Sequence, residues 1–343
     1  MADAPEPLAD PPAAPSVDVP TDPADLLARA TGGERAALAR LLSLVERGGP
    51  DARTVGRLTH PAGGSAYTVG LTGAPGAGKS TLTNALVSRI RRDDQPVAVL
   101  AIDPSSPFTG GAILGDRVRM QEHTGDDGVF IRSMATRGHL GGLSLATLEA
   151  IRVLDAAGWP WVLVETVGVG QVEVEIAGAA DTTVVVVNPG WGDAVQANKA
   201  GLLEIADVFV INKADRPGAQ DTRRDLDRML DLTVGNRWRP PIVETVASTG
   251  DGVDDLWAAV GQHRAHLEQR GLEERRRRRI TRELTEIMAA LVRERVEGVA
   301  AGRLAAVATD VADRTIDPWT AAEHLLDGSA GAGAGFGRPG RPG

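Results

Sequence analysis

The sequence predicts an α/β fold, a doubly wound and mostly parallel sheet, on three observations. Short apolar runs recur without polar alternation, helix-length segments separate most of them, and a glycine loop joins the first run to its helix. Strands buried on both faces read as continuous apolar runs, and intervening helices imply right-handed crossovers between parallel strands.

In chain order, Met1 to Pro23 is Ala/Pro/Asp-rich and reads as a disordered tail (1–23). A helical module (24–58) follows, with Leu38, Leu41, Leu42 and Val45 at helical spacing. Thr31 with Glu34 three residues on has the form of a capping box. The main domain (59–266) opens with the strand Ala66 to Thr72, the glycine loop and a helix from Ser80 to Arg92. Further strands are expected at Pro96 to Ile102, Trp161 to Val164, Thr182 to Val187, Asp207 to Ile211 and Ile242 to Val246. Helices are expected at Leu145 to Ala156, Ala194 to Ile205 and Asp221 to Leu232.

A helical C-terminal region (267–327) carries an apolar stripe of Ile280, Leu284, Ile287, Met288 and Leu291. Asp317-Pro318 predicts an N-cap and first-turn proline for a last helix to Leu326. Residues 328–343 form a Gly-rich tail with too little apolar surface to order.

Composition narrows the function classes. The 343 residues include no cysteine, which excludes disulfides and thiolate metal sites. A net charge of −9 argues against nonspecific nucleic-acid binding. No apolar run is long enough to span a bilayer, and the basic-poor N-terminus has no secretory signal, so a cytoplasmic location is expected. The run Arg275 to Arg279 reads as a solvated helix face or dimer rim, balanced by Glu273, Glu274, Glu283 and Glu286.

The chemistry concentrates at strand ends. Gly73-Ala74-Pro75-Gly76-Ala77-Gly78-Lys79-Ser80 matches G-x-x-x-x-G-K-[ST], between a strand and a helix as the mechanism requires, and Thr81 follows it. Glycines let backbone N–H groups face phosphate oxygens, Lys79 reaches the β/γ-phosphates, and Ser80 supplies a Mg²⁺ ligand. Asn212-Lys213-Ala214-Asp215 follows a strand, and a carboxylate there accepts from the N1–H and N2–H₂ edge of guanine, so GTP and GDP rather than ATP are expected. Ala247-Ser248-Thr249 is the expected second wall of the base pocket, although its order departs from the more usual Ser-Ala. Asp103 and Glu165 end two strands at the carboxyl edge of the sheet, where open α/β folds bind ligands, and are candidate Mg²⁺ carboxylates. Glu165-Thr166-Val167-Gly168 places a glycine N–H to sense the γ-phosphate. Asp116, in a glycine-rich segment, is a candidate for Mg²⁺ or attacking-water placement, with a plain exposed turn as its rival. His139, in the glycine-rich stretch Arg137 to Leu143, is read as bland.

Several longer blocks accompany these elements: Asp103 to Met120, Arg137 to Ser144, Glu165 to Gln171 and Asn188 to Gly201. Together they resemble the MeaB-type GTPases, the bacterial counterparts of the human methylmalonic aciduria type A protein, over roughly Asp25 to Leu326. The resemblance implies a G-protein chaperone for an adenosylcobalamin-dependent acyl-CoA mutase, most often methylmalonyl-CoA mutase, and a homodimer formed through C-terminal helices. It implies Lys79, Asp103, Asp116 and Glu165 as the metal and hydrolysis set. It also implies an extra switch at Asn188 to Gly201 with Gln196 and Lys199 as members. His139 departs from the small residue expected at its place. The competing class is a metallochaperone GTPase, whose Cys or clustered His depot this chain lacks. With no obvious arginine finger in cis, slow intrinsic hydrolysis accelerated by the partner is expected.

Overall fold

The structure, a computed structural model, describes residues 22–104, 123, 125–136, 142–166, 172–190, 201, 204–232, 238–298 and 301–326. Three helices open it: α1 (Pro23–Thr31), α2 (Arg35–Arg47) and α3 (Gly49–Thr59). An alternation of β1 (Tyr67–Gly73), α4 (Lys79–Arg92), β2 (Val97–Pro104), β3 (Val129–Thr136), α5 (Gly142–Ala156), β4 (Trp161–Thr166) and α6 (Val172–Ala179) follows. The sheet is completed by β5 (Thr182–Val187), β6 (Val208–Asn212), α7 (Ala219–Asp231) and β7 (Ile242–Thr245), after which come α8 (Val253–Arg270), α9 (Leu272–Gly298), α10 (Ala301–Ala312) and α11 (Pro318–Leu326).

The seven strands form one all-parallel sheet in the order β3-β2-β4-β1-β5-β6-β7. Six were expected. The seventh, β3, escapes a search for apolar runs because Arg132 and Ser133 interrupt VFIRSMAT. Both faces are apolar for the reason the runs suggest. Val97 and Val99 of β2 pack with Leu82, Leu86 and Ile90 of α4, while Ala98, Leu100 and Ile102 pack with the N-terminal helices. Val185, Val187 and Phe209 face Leu226 and Leu230 of α7. The N-terminal helices thus share their core with β2, β3 and α5. The predicted helix at Ala194 to Ile205 lies mostly outside the described residues.

Two local expectations change. Thr31 ends α1, its hydroxyl donating to the Leu27 carbonyl at 2.9 Å, and Glu34 pairs with Arg29, so there is no capping box. The residue order Thr-x-x-Glu matched the motif, but Gly32 and Gly33 break the helix first. The run Arg275 to Arg279 is not simply a solvated face. Arg275 forks onto Asp207 at 3.0 and 2.6 Å; Arg276 binds Asp181 and the carbonyls of Gly64 and Ala66; Arg279 reaches the Ala179 carbonyl and Asp181. These acceptors sit just before β1, β5 and β6, so the arginines bolt α9 across the amino edge of the sheet, away from the glycine loop. Arg277 and Arg278 are the exposed pair. Because α9 turns its arginine side and Glu283 inward, the apolar stripe faces out: Ile280, Leu284, Met288 and Leu291 are exposed and Ile287 is half-buried. The stripe therefore does not pack on the sheet domain. Asp317 caps α11 as expected, accepting from Trp319 and Thr320 amides at 2.9 and 3.1 Å.

At the same edge a buried chain runs from Tyr67 Oη to Thr182 Oγ1 (2.7 Å), from Thr182 to His263 Nδ1 (2.8 Å), and from His263 Nε2 to Asp207 (3.3 Å). One neutral tautomer satisfies it, with Nδ1 accepting and Nε2–H donating. Burial pushes the His263 imidazole down to about 4, against the opposing pull of Asp207. The unfolded chain binds that proton near 6.5. His263 thus contributes stability above pH 6.5 that is lost as pH falls towards 4. Urea melts at pH 7 and 4.5 should differ by ~2 kcal/mol more in the native chain than in His263→Gln. An equal difference in both would remove His263 from the account.

Candidate functional site

β1 lies between β4 and β5, where the winding reverses, so the crevice at its carboxyl end is the expected ligand position of an open α/β sheet. The glycine loop Gly73 to Gly78 fills that end. Gly73 has φ 135° and a Cβ there would collide with the Val186 carbonyl on β5, so the loop can turn only at glycine. Gly78, at φ 92°, is the N-cap of α4, and a Cβ would strike the Asn212 amide. The backbone N–H groups of the first α4 turn therefore open onto the crevice with the helix dipole behind them. Lys79, 6% exposed, folds its Nζ over the loop to the carbonyls of Gly73 at 2.6 Å and Ala74 at 3.1 Å.

On the β4 side, Ser80 Oγ donates to Glu165 Oε1, and Glu165 is fully buried at the end of β4, in register with Leu71 of β1 and Ala101 of β2. A serine hydroxyl and a carboxylate touching at the phosphate end of a helix form a hard-oxygen donor set. That chemistry suits Mg²⁺, which binds through one or two carboxylates and keeps the rest of its octahedron for water and phosphate. Asp103 stands at the end of β2, next but one to β1, with its backbone in register with Ala135 of β3.

On the β6 side, Asn212 ties three loops together. Its Nδ2 donates to the Ala77 carbonyl at 2.8 Å, and its Oδ1 accepts from Thr245 Oγ1 and the Ala247 amide at 3.1 Å each. The glycine loop, the end of β6 and the Ala247-Ser248-Thr249 turn are held by one side chain. Lys213 adopts φ 59° and donates to the Gly76 carbonyl at 2.7 Å, while the Ala214 amide bonds the Thr245 carbonyl. Asp215, just beyond, is exposed. Thr249 is exposed and bonds within its own turn, to Asp251 and the Val246 carbonyl.

The structure brings together Gly73 to Thr81, Glu165, Asn212, Lys213 and Ala247, with Asp215 at the rim. Asp116, His139, Gly168, Gln196 and Lys199 lie outside the described residues. Thr245 is a contributor not singled out in the sequence: an isolated threonine ending a four-residue strand carries no motif signal.

Among known proteins, the family model described as methylmalonyl Co-A mutase-associated GTPase MeaB matches residues 38–301. A protein of Pyrococcus abyssi named as a GTPase is 51% identical over 315 residues, 90% of this chain and 97% of its own length. The mouse protein named methylmalonic aciduria type A homolog, mitochondrial, is 38% identical over 196 residues, 56% of this chain and 47% of its own. Among solved structures, one titled LAO/AO transport system kinase aligns with a TM-score of 0.67 at 27% identity, over 90% of this chain and 97% of that one.

Proposed function

The chain belongs to the methylmalonyl-CoA mutase-associated GTPase family, and from that premise we propose that it is a GTP-switched chaperone of an adenosylcobalamin-dependent acyl-CoA mutase, working in the cytoplasm. That it is a GTPase follows from the family. The client is read from the family's own description. The observation that carries the switch reading is Asn212, whose single amide couples the phosphate loop to both base loops.

In this reading Asp215 accepts from the guanine edge, and an adenine would leave it unpaired. Ala247 to Thr249 walls the base, and Gly73 to Thr81 cradles the phosphates with Lys79 swinging from loop carbonyls to phosphate oxygens. Ser80, Glu165 and Asp103 hold Mg²⁺, with Asp116 as a further candidate for the ion or the attacking water. The ion, when bound, neutralises charge developing on the transferred phosphoryl group. Gly168 senses the γ-phosphate, and Gln196 and Lys199 relay nucleotide state to the mutase. The exposed stripe Ile280, Leu284, Met288 and Leu291 supports a homodimer through the C-terminal helices, since such an apolar row asks for a partner. Metal delivery is disfavoured by the absence of cysteine from the chain.

The test is co-purification of the full chain with methylmalonyl-CoA mutase in GDP and in a nonhydrolysable GTP analogue. We expect retention to change by tenfold or more between the two nucleotides, which is about 1.4 kcal/mol of coupling. Equal retention, or none in either state, removes methylmalonyl-CoA mutase as the nucleotide-switched client, and the same result with every candidate acyl-CoA mutase leaves only the GTPase.

A further inference from the structure

We propose that Glu46, on the N-terminal helix α2, is a positioning residue for the metal side of the nucleotide site, acting through the end of the edge strand β3. The inference rests on the reading of Asp103 as a metal carboxylate, and it deepens that reading by naming what holds Asp103 in place.

The ladder between β2 and β4 ends at Ile102↔Thr166, whereas the ladder between β2 and β3 continues through Asp103↔Ala135 and Pro104↔Thr136. Among the described residues, β3 is thus the only strand neighbour of Asp103. Yet β3 is the edge of the sheet, and an edge strand presents a row of unpaired N–H and C=O groups and frays from its ends. Residues of one parity point these groups outward, and Val129 and Ala135 share that parity.

α2 lies along the open edge and supplies the missing partners. At one end Arg35 donates to the carbonyls of Val129 and Asp126, at 2.5 and 3.2 Å. At the other end Glu46 Oε1 accepts the Ala135 amide at 3.0 Å. Arg35 and Glu46 are eleven residues apart, about three helical turns, so both face the strand. Arg132 locks Glu46 from the side, reaching its Oε2 at 3.2 Å and Ser43 Oγ at 3.1 Å. Glu46 is only 13% exposed, so the bond is shielded from competing water. A largely shielded helix carboxylate therefore takes the place of an eighth strand at the level of Asp103. Outer partners that fix a metal ligand's position tune its hold on the ion, and losing one typically costs roughly 10–100-fold in metal affinity.

Three variants test this, Glu46→Leu, Glu46→Gln and Asp103→Asn, with Glu46→Ala replacing the leucine variant should that one not fold. The first readout is amide exchange at Ala135 in protein free of nucleotide and magnesium. It should be slow in the native chain and E46Q, whose amide oxygen still accepts, and at least tenfold faster in E46L. The second is the Mg²⁺ concentration that half-maximally slows release of a fluorescent GDP analogue. It should rise roughly tenfold in E46L, stay within about threefold in E46Q, and rise in D103N. GDP affinity in EDTA should be unchanged in E46L and E46Q. Native-like Mg²⁺ dependence in E46L, beside a shift in D103N, would overturn the role of Glu46. No shift in D103N would overturn the metal reading itself. A loss of EDTA-state GDP affinity in E46L would mark a general structural defect and also overturn the proposal.

Discussion

Lys79→Ala lowers the GTP turnover of the purified chain by at least ~10²–10³, the largest activity effect expected of any single substitution. The warrant is geometric. Lys79 is nearly enclosed, and its ammonium already sits on the loop that would surround the phosphates, bonded to the Gly73 and Ala74 carbonyls. Those carbonyls hold the charge beside the crevice, and an anionic phosphate replaces weak neutral acceptors with a strong one. Since developing charge on the transferred phosphoryl group is met mainly by fixed cations and donors, removing this one raises the barrier by roughly 3–4 kcal/mol. The fold should survive, because the Ala74 carbonyl is partly open to water and only the buried Gly73 carbonyl loses its donor. Single-turnover hydrolysis of GTP, with circular dichroism as the folding control, is the measurement. An undiminished rate would displace the catalytic site from this loop.

The largest stability effect is expected at Asp181, far from that chemistry. Its carboxylate is fully buried and accepts from the Thr68 amide at 3.1 Å and from Arg276 at 3.2 and 2.8 Å, with Arg279 at 3.4 Å. Asp181→Ala leaves two largely enclosed guanidinium groups beside an empty site. Breaking one side of a buried pair costs ~3–5 kcal/mol, and the arginines, each about a fifth exposed, recover part of that through solvent. About 3 kcal/mol remains, or roughly 4–5 °C in Tm for a chain of this length. Asp181→Asn, which keeps an acceptor for Thr68, should fall between. Limited proteolysis gives a second view, since loosening these arginines should expose Leu272–Gly298 to cleavage before the sheet unfolds. A Tm within 1 °C of native would show that the arginine clamp does not hold α9.

Much of the fold was legible because parallel strands buried on both faces must be apolar throughout. Thr182–Val187 and Val97–Pro104 announce themselves by composition, and the glycine loop between β1 and α4 by the left-handed and close-approach positions that only glycine fills. β3 was not legible: it is an edge strand with Arg132 turned to the helix module, so the burial that makes the other strands uniform is relaxed there. The capping box at Thr31 failed because Thr31 and Glu34 matched a local pattern while the two glycines between them separate the end of one helix from the start of the next. Of the site, Gly73 to Thr81, Glu165 and Asn212 to Asp215 came from motif spacing, and the structure brings them to one crevice.

The sequence by itself determined six of the seven strands, the phosphate-binding end of the sheet and the nucleotide class, because each depends on residues close together in the chain. Tertiary structure alone decided what the charged residues outside the motifs do. Arg275 and Arg276 look like surface charge until Asp207 and Asp181, 68 and 95 positions away, are seen beneath them. Glu46 looks like the polar end of an amphipathic helix until the amide of Ala135 is found 3.0 Å away. A charge's role is set by what it is buried against, and in this fold those partners lie across the chain rather than along it.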